Sequence, residues 1–520
     1  MASNCFKKPV VLVVLDGFGH SNEHSYNAVY AANKPNIDKW LRQYPNTLLH
    51  ASGQYVGLLP GCIGNSEVGH FTIGCGRVIK QPLVVISEAI NDGCFFENKV
   101  LLEGLEKVKN ATGSLHIIGL LSDGCVHSDI EHLYAFLLEA KEQGIKNVYI
   151  HAFLDGRDVG PKTAGKYLTD LNNFMKKNNI GVLASIHGRF YAMDRDKNWD
   201  RTEKTYKVLV GDAENSFNSV FNDKNIDLNW ESILNSSYAK NVTDEFIFPV
   251  NILPEGQGVI KNGDGVIFFN FRPDRVKQIT KCLLGQKNDV FEVRNIGLSC
   301  FVTPVEYGKD LETDVMFKHS DVHNTLKSIL ASNGKTIFSI AETEKYAHVT
   351  YFFDGGVNIV HEGEEKVLIK SKIMQSYAFC PKMSADKITE AVINSLNNDP
   401  KDFYLINYAN ADMVGHSGDF VATVKAIEYL DKELKKLYDL VIEKLDGVMY
   451  ITADHGKAEK MFDVSTGQPC TAHTNNLVPF IFIKRGLENS DLKLDLTELA
   501  DIAPFILQNM AIVVPKEMKK

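Results

Sequence analysis

Acidic and imidazole side chains occur beside several short apolar runs that are typical of buried strands. Asp16 follows the run Val10 to Leu15. The other members of this group are Asp412 and His416, after Phe403 to Ile406, Asp454 and His455, after Val448 to Thr452, and His473, ahead of Phe480 to Ile483. In open α/β sheets, ligands bind beyond the carboxyl ends of strands. The residue types therefore predict a divalent cation site, and mixed carboxylate and imidazole donors suit Mn, Zn or Co better than Mg.

Each of these residues also has an ordinary structural interpretation. An Asp16-Gly17 pair after a strand is commonly a turn or a helix cap. Adjacent side chains such as Asp454 and His455 diverge on a regular element, so only a loop could aim both at one site. Asp412 and His416 are four residues apart, which brings them together on a helix. His473 alone is more often a hydrogen-bonded structural histidine, and only the joint occurrence of the group favours a metal site.

A glycine-flanked serine precedes a helix-like segment in the motif GNSEVGH, residues 64–70. One interpretation is that Ser66 caps this helix, because serine is a favoured N-cap and a free serine is a poor nucleophile. A divalent cation beside the hydroxyl would instead lower its pKa and activate it. In that case Asn65 and the backbone amides of the helix start could hold the oxygens of a phosphoryl group.

Arginine recurs next to aspartate or histidine between residues 155 and 275. The four motifs are Asp155-Gly156-Arg157-Asp158, His187-Gly188-Arg189, Met193-Asp194-Arg195-Asp196 and Phe271-Arg272-Pro273-Asp274-Arg275. The planar guanidinium group bonds carboxylate and phosphate with two parallel hydrogen bonds, so the motifs suit a small substrate that carries both groups. Alternating Arg and Asp is also typical of a solvated, salt-bridged surface.

Short β-branched runs alternate with amphipathic segments, a pattern that predicts α/β layers with largely parallel sheets. Further strands are expected at Val148 to Phe153, Val182 to Ile186 and Val266 to Phe271. Two helices are expected to end ahead of a glycine. They are Ile130 to Gln143, with Ile130, Leu133, Leu137 and Leu138 inward and Gly144 beyond, and Asp321 to Ser332, with Val322, Leu326, Ile329 and Leu330 inward and Gly334 beyond.

The length and the distribution of polar residues predict two domains. A chain of 520 residues exceeds what one hydrophobic core usually supports. Candidate metal ligands lie before residue 80 and after residue 400, whereas the arginine motifs lie between them. We therefore expect a domain of residues 1–80 and 318–520 that is interrupted by a second domain, residues 81–317 with flanking linkers, and crossings near Lys80 and near Asp310 to His319.

Composition excludes several classes of function. Lys and Arg number 56 against 65 Asp and Glu, and the net charge of −9 argues against a nucleic-acid binder. The first residues lack a signal-peptide pattern and no apolar run is long enough for a membrane span, so we expect a cytoplasmic protein. Nine cysteines without a C-x-x-C pair predict free thiols.

Together these motifs resemble the cofactor-independent phosphoglycerate mutases of the alkaline phosphatase-like superfamily. The resemblance rests on the serine motif, Asp16, Ala411-Asp412-Met413-Val414-Gly415-His416, Thr452-Ala453-Asp454-His455-Gly456 and His473-Thr474. These motifs occur in order from near Asp16 to near Pro479, so the resemblance covers nearly the whole chain. It implies an α/β fold in which an alkaline phosphatase-like metal domain is interrupted by an inserted α/β transferase domain.

The resemblance also implies two metal sites around a serine that carries phosphate. One cation would be bound by Asp16, Ser66, Asp454 and His455, and the other by Asp412, His416 and His473. Lys345 would approach the transferring phosphoryl group. Without the resemblance, a lysine among glutamates would be interpreted as part of a surface ion pair. We expect Mn, with Mg or Co as alternatives, and no 2,3-bisphosphoglycerate.

The same resemblance assigns the arginine motifs to a substrate. The glycerate part would be held by His127, Arg157, Asp158, Arg189 and Arg195, and the phosphate by Arg272 and Arg275 at the domain interface. The implied reaction is the interconversion of 3-phosphoglycerate and 2-phosphoglycerate in glycolysis and gluconeogenesis. Ser66 would take the phosphate while Asp158 serves as general acid and base for the two hydroxyls, and we expect a monomer.

Two alternatives remain open from the sequence. The first is a metal-dependent phosphatase or phosphosugar mutase of the same superfamily, and the second is a catalytically silent protein that binds phosphometabolites or partners. Three positions depart from the family pattern: Lys457 stands where asparagine is usual, Cys75 where alanine is common, and Asp129 where histidine is frequent. Lys457 matters most, because a cation near the metals could weaken their binding or change the metal preference.

Overall fold

The fold was analysed in a computed structural model that describes residues 8–212, 229–286, 288–318, 322–464 and 467–519. The chain divides into two compact units. The first unit contains Met1–Gln81 and Asp321–Lys520, and the second contains Pro82–Ser320. Both are built of α-helices around a seven-stranded sheet, which confirms the predicted α/β fold class.

The amino-terminal segment of the first unit supplies two strands and three helices. They are β1 (Val10–Leu15), α1 (Ala28–Ala31), α2 (Pro35–Gln43), β2 (Asn46–Leu49) and α3 (Ser66–Cys75). Helix α3 is buried at every position except Glu67. It is capped at its start by the Asn65 side chain and ends at Gly76, whose φ of 60° is the left-handed conformation favoured at helix ends.

The second unit follows without interruption. Its elements are α4 (Pro82–Asp92), α5 (Lys99–Asn110), β3 (Leu115–Leu121), α6 (Ile130–Glu142), β4 (Val148–Leu154), α7 (Ala164–Asn178), β5 (Val182–Gly188), α8 (Arg189–Ala192), α9 (Trp199–Val210), α10 (Trp230–Ala239), β6 (Val250–Asn251), β7 (Gly265–Phe268), α11 (Lys277–Leu283), β8 (Cys300–Thr303) and β9 (Asp314–Val315). Its sheet has the order β6-β5-β4-β3-β7-β8-β9. All neighbours are parallel except β6, which is antiparallel to β5.

The carboxyl-terminal segment completes the first unit. Its elements are α12 (Leu326–Ser332), β10 (Ile337–Glu342), β11 (Glu364–Ile369), α13 (Ala385–Asn398), β12 (Phe403–Tyr408), α14 (Asn410–Gly415), α15 (Phe420–Tyr438), β13 (Val448–Thr452), β14 (Phe462–Asp463), β15 (Gln468–Pro469), β16 (Val478–Lys484) and α16 (Ile502–Asn509). Strands β14 and β15 form a separate two-stranded ribbon.

The sheet of the first unit has the order β11-β10-β12-β1-β13-β16-β2. Strand β1 lies in its middle, parallel to both β12 and β13. Its six residues are all apolar, as expected for a strand covered on both faces by helices. Strand β16 is antiparallel to β13, with Phe480 opposite Thr452. The start of β16 therefore lies at the same edge of the sheet as the carboxyl ends of β1, β12 and β13.

Several predicted elements end at different residues in the structure. The strand expected to reach Phe271 ends at Phe268, because the backbone N–H of Phe271 instead donates to the carbonyl of His127 at 2.9 Å. On α6, Leu138 is not inward but 38% exposed, since it lies about 140° around the helix from the buried Leu133.

The helix expected from Asp321 begins only at Leu326. Thr325 caps it by accepting from the N–H of Ser328 at 3.3 Å, and Asn324 before the cap has a φ of 58°. Val322 therefore precedes the helix, and Asp321 lies outside the described residues, as does His319 of the expected crossing.

Two further expectations concern cysteines and membranes. The eight cysteines in the described ranges are free, and Cys5 lies outside them. Among the described helices, none is long and apolar enough to cross a bilayer.

We predict that Gly74→Ala destabilises the first unit. A methyl group at this position of α3 would overlap the carbonyl oxygen of Phe353, and overpacking of this kind costs about 1–3 kcal/mol. Thermal unfolding should therefore show a lowered melting temperature. The control is Gly165→Ala in α7, where the nearest atom to the new methyl is Leu234 Cδ1 at 3.8 Å. Equal melting temperatures for the two variants would contradict the prediction.

Candidate metal centre

The first unit brings the predicted metal ligands to one edge of its sheet. Asp16 directly follows β1, Asp412 lies in α14 just after β12, and Asp454 lies two residues after β13. His473 precedes β16, whose antiparallel direction returns the chain to the same edge. The ligands are thus far apart in sequence but close in space because parallel strands end together.

Ser66 is the first residue of α3 and is buried. The helix cap is Asn65, whose Oδ1 accepts from the N–H of Val68 at 3.1 Å, so the Ser66 hydroxyl is not consumed in capping. Its Oγ lies 3.1 Å from Asp16 Oδ1 and 2.9 Å from His455 Nε2. The hydroxyl therefore points into the group of predicted ligands.

The first group of donor atoms surrounds Ser66. His455 Nε2 lies 3.4 Å from Asp16 Oδ1 and 3.6 Å from Asp454 Oδ2. Asp454 Oδ1 accepts from the backbone N–H of Gly17 at 3.2 Å, which orients its other oxygen toward the group. Asp16, Asp454 and His455 are completely buried.

The second group consists of Asp412, His416 and His473. His416 Nε2 and His473 Nε2 lie 3.1 and 3.2 Å from Asp412 Oδ1, and 2.9 Å from each other. Each Nδ1 faces a backbone carbonyl, Thr471 O at 2.8 Å for His416 and Gly64 O at 3.0 Å for His473. Because a neutral imidazole that donates from Nδ1 carries its lone pair on Nε2, both lone pairs converge on the Asp412 oxygen.

This donor set fits divalent cations. Asp412 Oδ1 and Asp454 Oδ2 are buried oxygens with no hydrogen-bond donor among the described residues. Asp412, His416 and His473 bring ligand atoms within 4.8 Å of one another, and so do Asp16, Asp412 and His455. Converging lone pairs without a donor are costly unless a cation binds between them, so the geometry supports metal ligation.

Lys345 occupies the centre of the two groups. Its Nζ donates to Asp16 Oδ1 at 2.7 Å, to Asp412 Oδ2 at 2.7 Å and to Ser66 Oγ at 2.6 Å. Burial opposes ionisation of Asp16 and Asp412, but the adjacent ammonium group holds the pKa of both carboxyls well below their usual value. Burial also opposes the charge of Lys345, but the two carboxylates raise its pKa.

Two residues of the centre were missed by the sequence analysis. His70, one helical turn after Ser66, places its Nδ1 2.9 Å from Ser66 O and 3.1 Å from Asp454 Oδ2. Asn407, within β12, donates from Nδ2 to Asp16 Oδ2 at 2.8 Å and lies 3.0 Å from His70 Nε2. These two side chains orient the serine and the acids. The signal for Asn407 was a single amide in an otherwise apolar and aromatic strand.

The predicted substrate residues gather at the corresponding edge of the second unit. They follow β3, β4, β5 and β7, which are neighbours in its sheet. Arg189 Nη1 donates to Asp155 Oδ1 at 2.6 Å and to Asp158 Oδ2 at 2.5 Å. Burial and the nearby Arg189 lower the pKa of His127 to about 4, so its ring is neutral at neutral pH.

Two of the remaining arginines contact Asp274, which the sequence analysis did not select. Arg195 Nη1 donates to Asp274 Oδ2 at 2.8 Å, and Arg272 Nε lies 3.3 Å from Asp274 Oδ1. Arg275 Nη1 donates to Met193 O at 3.4 Å, and burial together with Arg195, Arg189 and Arg157 lowers its pKa. Arg157 pairs with Glu245 at 3.4 Å at the exposed rim. This concentration of guanidinium groups suits a small anion.

The three departures from the family pattern have distinct environments. Asp129 caps α6 by accepting from the N–H of Glu131 at 2.9 Å, and Cys75 is the buried last residue of α3. Lys457 is completely buried, and its Nζ donates to Cys470 O at 3.1 Å.

A further cluster of possible ligands lies outside these two groups. It consists of Asp354, His361 and Glu364. Lys327 Nζ already donates to Asp354 at 3.0 Å and to Glu364 at 2.9 Å, so an ammonium group neutralises these acids.

Comparison with known proteins places these observations in a family context. The family model described as BPG-independent PGAM N-terminus matches residues 86–309. A 2,3-bisphosphoglycerate-independent phosphoglycerate mutase from Clostridium tetani is 47% identical over 516 residues, 98% of each chain. One from Clostridium perfringens is 47% identical over 516 residues, again 98% of each chain. The phosphoglycerate mutase of Leishmania mexicana, solved at low cobalt concentration, aligns with a TM-score of 0.72 and 29% identity over 99% of this chain and 97% of that chain.

We predict that divalent metal binding to the protein releases protons below pH 9. Burial opposes the charge of His455, but Asp454 and the other carboxylates raise its pKa from 6.5 to about 9. In the metal-free protein this charge stabilises the fold most below pH 6.5, and the contribution is lost as the pH rises through 9. Metal affinity should rise over the same interval, because a ligating imidazole must be neutral.

Calorimetric titration with Mn²⁺ in two buffers of different ionisation enthalpy measures this proton release. The variant His24→Gln, which removes an exposed histidine of the same unit, should behave like the unmodified protein. Metal affinity that does not change between pH 6.5 and pH 9 would contradict the assignment of His455.

We predict that Asn407→Ala weakens Mn²⁺ binding by about tenfold, the lower end of the usual effect of removing a side chain that orients a ligand. The reason is the loss of the donor that holds Asp16 Oδ2. The matched control is Asn410→Ala, which removes an equally buried asparagine that donates to Pro381 O instead. Equilibrium dialysis compares the two, and equal affinities would show that Asn407 does not orient the ligand.

Proposed function

Since the chain belongs to the 2,3-bisphosphoglycerate-independent phosphoglycerate mutases, which interconvert 3-phosphoglycerate and 2-phosphoglycerate, we propose that its reaction passes through a phosphoserine at Ser66. The observation that carries this proposal is the environment of one hydroxyl. Ser66 Oγ is buried among Asp16, His455 and Lys345, all within 3.1 Å. A serine in a general structural role would not need this concentration of charge.

Two divalent cations complete the proposed centre. Asp16, Ser66, Asp454 and His455 would hold one, and Asp412, His416 and His473 the other. The mixture of carboxylate and imidazole donors favours Mn, with Mg or Co as alternatives. When bound, these cations lower the pKa of the serine hydroxyl and neutralise charge on the transferring phosphoryl group.

The substrate is proposed to be held by the arginines of the second unit. Arg272 and Arg275 bind the phosphate, and His127, Arg157, Arg189 and Arg195 bind the glycerate part. The bidentate geometry of guanidinium suits both the carboxylate and the phosphate of phosphoglycerate. Asn65, beside the nucleophile at the start of α3, donates to the phosphoryl oxygens.

Proton transfer is assigned to Asp158. Ser66 Oγ, having lost its proton to water, attacks phosphorus, the bond from phosphorus to the glycerate oxygen breaks, and Asp158, protonated from solvent before the transfer, gives its proton to that oxygen. The other hydroxyl of glycerate then returns a proton to Asp158 and takes the phosphoryl group from Ser66. Lys345, which already donates to Ser66 Oγ, stabilises the charge of the transferring group.

No bisphosphate is consumed in this reaction, because the enzyme itself carries the phosphoryl group between the two hydroxyls. We propose that residues 1–80 and 318–520 act as the metal domain and residues 81–317 as the inserted transferase domain. A net charge of −9 supports a protein that binds no nucleic acid. We further propose that the protein is a cytoplasmic monomer that acts in glycolysis and gluconeogenesis.

We predict that Ser66→Ala lowers isomerisation by about four orders of magnitude or more, since the nucleophile is removed. The assay supplies 3-phosphoglycerate and Mn²⁺ without 2,3-bisphosphoglycerate, and ³¹P NMR follows 2-phosphoglycerate. Acid quenching and peptide mapping should recover phosphate on Ser66 of the unmodified protein. Ser332→Ala, which removes a hydroxyl that donates to Ile329 O at 2.9 Å in α12, serves as the control.

Three results would overturn the proposal. They are isomerisation that survives in Ser66→Ala, a requirement for added bisphosphate, and release of inorganic phosphate as fast as 2-phosphoglycerate forms. The last would identify a phosphatase instead of a mutase.

A further inference from the structure

Lys457 is an unusual residue of the first unit because a complete lysine side chain is buried without an acidic partner. It is 0% exposed, and no carboxylate of the described residues forms an ion pair with its Nζ. The nearest polar contacts of Nζ are Cys470 O at 3.1 Å and Met461 Sδ at 3.8 Å. Burial of an ammonium group with so few acceptors is costly, which points to a use for the residue.

The stem of Lys457 packs beside the helix that presents His416. A Cβ built on Gly415 would lie 3.1 Å from Lys457 Cγ and 3.5 Å from Cε, so the stem lies against the residue before His416. A side chain larger than hydrogen at position 415 would displace this stem. The lysine therefore contacts the first of the two histidine-bearing segments directly.

The ammonium group of Lys457 holds the second histidine-bearing segment, residues 470–474. Thr474 is anchored at one end of it by its backbone N–H, which donates to Gly456 O at 2.9 Å. Cys470 is held at the other end by two contacts: its backbone N–H donates to Met461 O at 2.9 Å, and its carbonyl accepts from Lys457 Nζ at 3.1 Å. Gly456 and Lys457, which are adjacent in one turn, thus contact opposite ends of the segment.

The anchored segment determines the orientation of both imidazoles. It carries His473 itself, and its Thr471 carbonyl accepts from His416 Nδ1 at 2.8 Å. Loss of the Lys457 contact would leave the Cys470 carbonyl without its ammonium donor, so the peptide that leads into Thr471 could rotate about the remaining contact with Met461 O. The distance of 2.9 Å between the two Nε2 atoms depends on that segment.

We propose that Lys457 is a positioning residue that sets the affinity of the Asp412, His416 and His473 group for a divalent cation. The inference rests on the proposed function of this group as a metal site. Lys457 acts through the Cys470 carbonyl and touches neither substrate nor ligand atoms. It does so as a hydrogen-bond donor and a packing stem, and this contribution outweighs the repulsion between its charge and the cation.

The test compares Lys457→Met, which keeps the stem and removes the donor, with Lys460→Met, which removes an exposed lysine of the same loop. Mn²⁺ alone is titrated into each full-length protein by calorimetry. Lys457→Met should lose about tenfold in affinity for one of two bound equivalents and leave the other unchanged. Lys460→Met should leave both unchanged. In a His473→Ala background, Lys457→Met should have no further effect on binding.

Melting of the metal-free proteins separates positioning from general destabilisation. Replacing a buried, unpaired ammonium group by methionine should leave the melting temperature unchanged or raise it, while metal affinity falls. Unchanged or tighter binding of both equivalents would overturn the inference, as would an equal loss at both. If Lys457→Met fails to fold, Lys457→Gln, whose amide nitrogen is one bond closer to the backbone than Nζ and therefore falls short of Cys470 O, should bind one equivalent more weakly, and unaltered binding would overturn the inference. Because Mn²⁺ titration needs no turnover, the result stands apart from the Ser66 experiment.

Discussion

Asp16 and Asp412 are buried carboxylates that share the ammonium group of Lys345. Burial alone would force such carboxyl groups to take up protons, and the contact with Lys345 Nζ at 2.7 Å reverses that tendency. His455 responds to the same crowding of negative charge by holding its proton more tightly. The centre is therefore built around buried carboxylate oxygens whose negative charge must be balanced.

The sheet supplies that restraint. Strands β1, β12 and β13 are adjacent, so the acids that follow them cannot separate without breaking backbone hydrogen bonds. Helix α3 places Ser66 beside these acids, and its glycines allow the helix to approach them closely. Gly69 of this helix lies against the backbone of Asp454, where any side chain would overlap it. Nucleophile and ligand are thus positioned by the same contact.

Much of the architecture could be predicted from the sequence because buried strands carry a simple signal. The apolar runs Val10 to Leu15 and Val448 to Thr452 correspond to β1 and β13 at both ends. The start of α12 could not be predicted in this way, because Thr325 and Asn324 interrupt a helical pattern that continues through Val322. At this helix start, the capping residue determines the boundary and the apolar periodicity does not.

The site shows the same division between strong and weak signals. Residues with metal-ligand chemistry at strand ends, such as Asp16 and Asp454, could be selected by type and position. Asp274 and His70 could not be ranked, since their importance comes from what they contact: two arginines for Asp274, and Ser66 with Asp454 for His70. Their types alone occur widely in turns and helices.

The pairing of β1 has a consequence for biosynthesis. Val10 lies beside Phe403 on one side and Val448 on the other, so this strand finds neither neighbour until most of the polypeptide has left the ribosome. Residues 82–320 can fold in the meantime, since the strands of their sheet all come from within that stretch. The nascent β1, wholly apolar and unpaired, is exposed to aggregation throughout that delay, and chaperone binding is expected to concentrate there during translation.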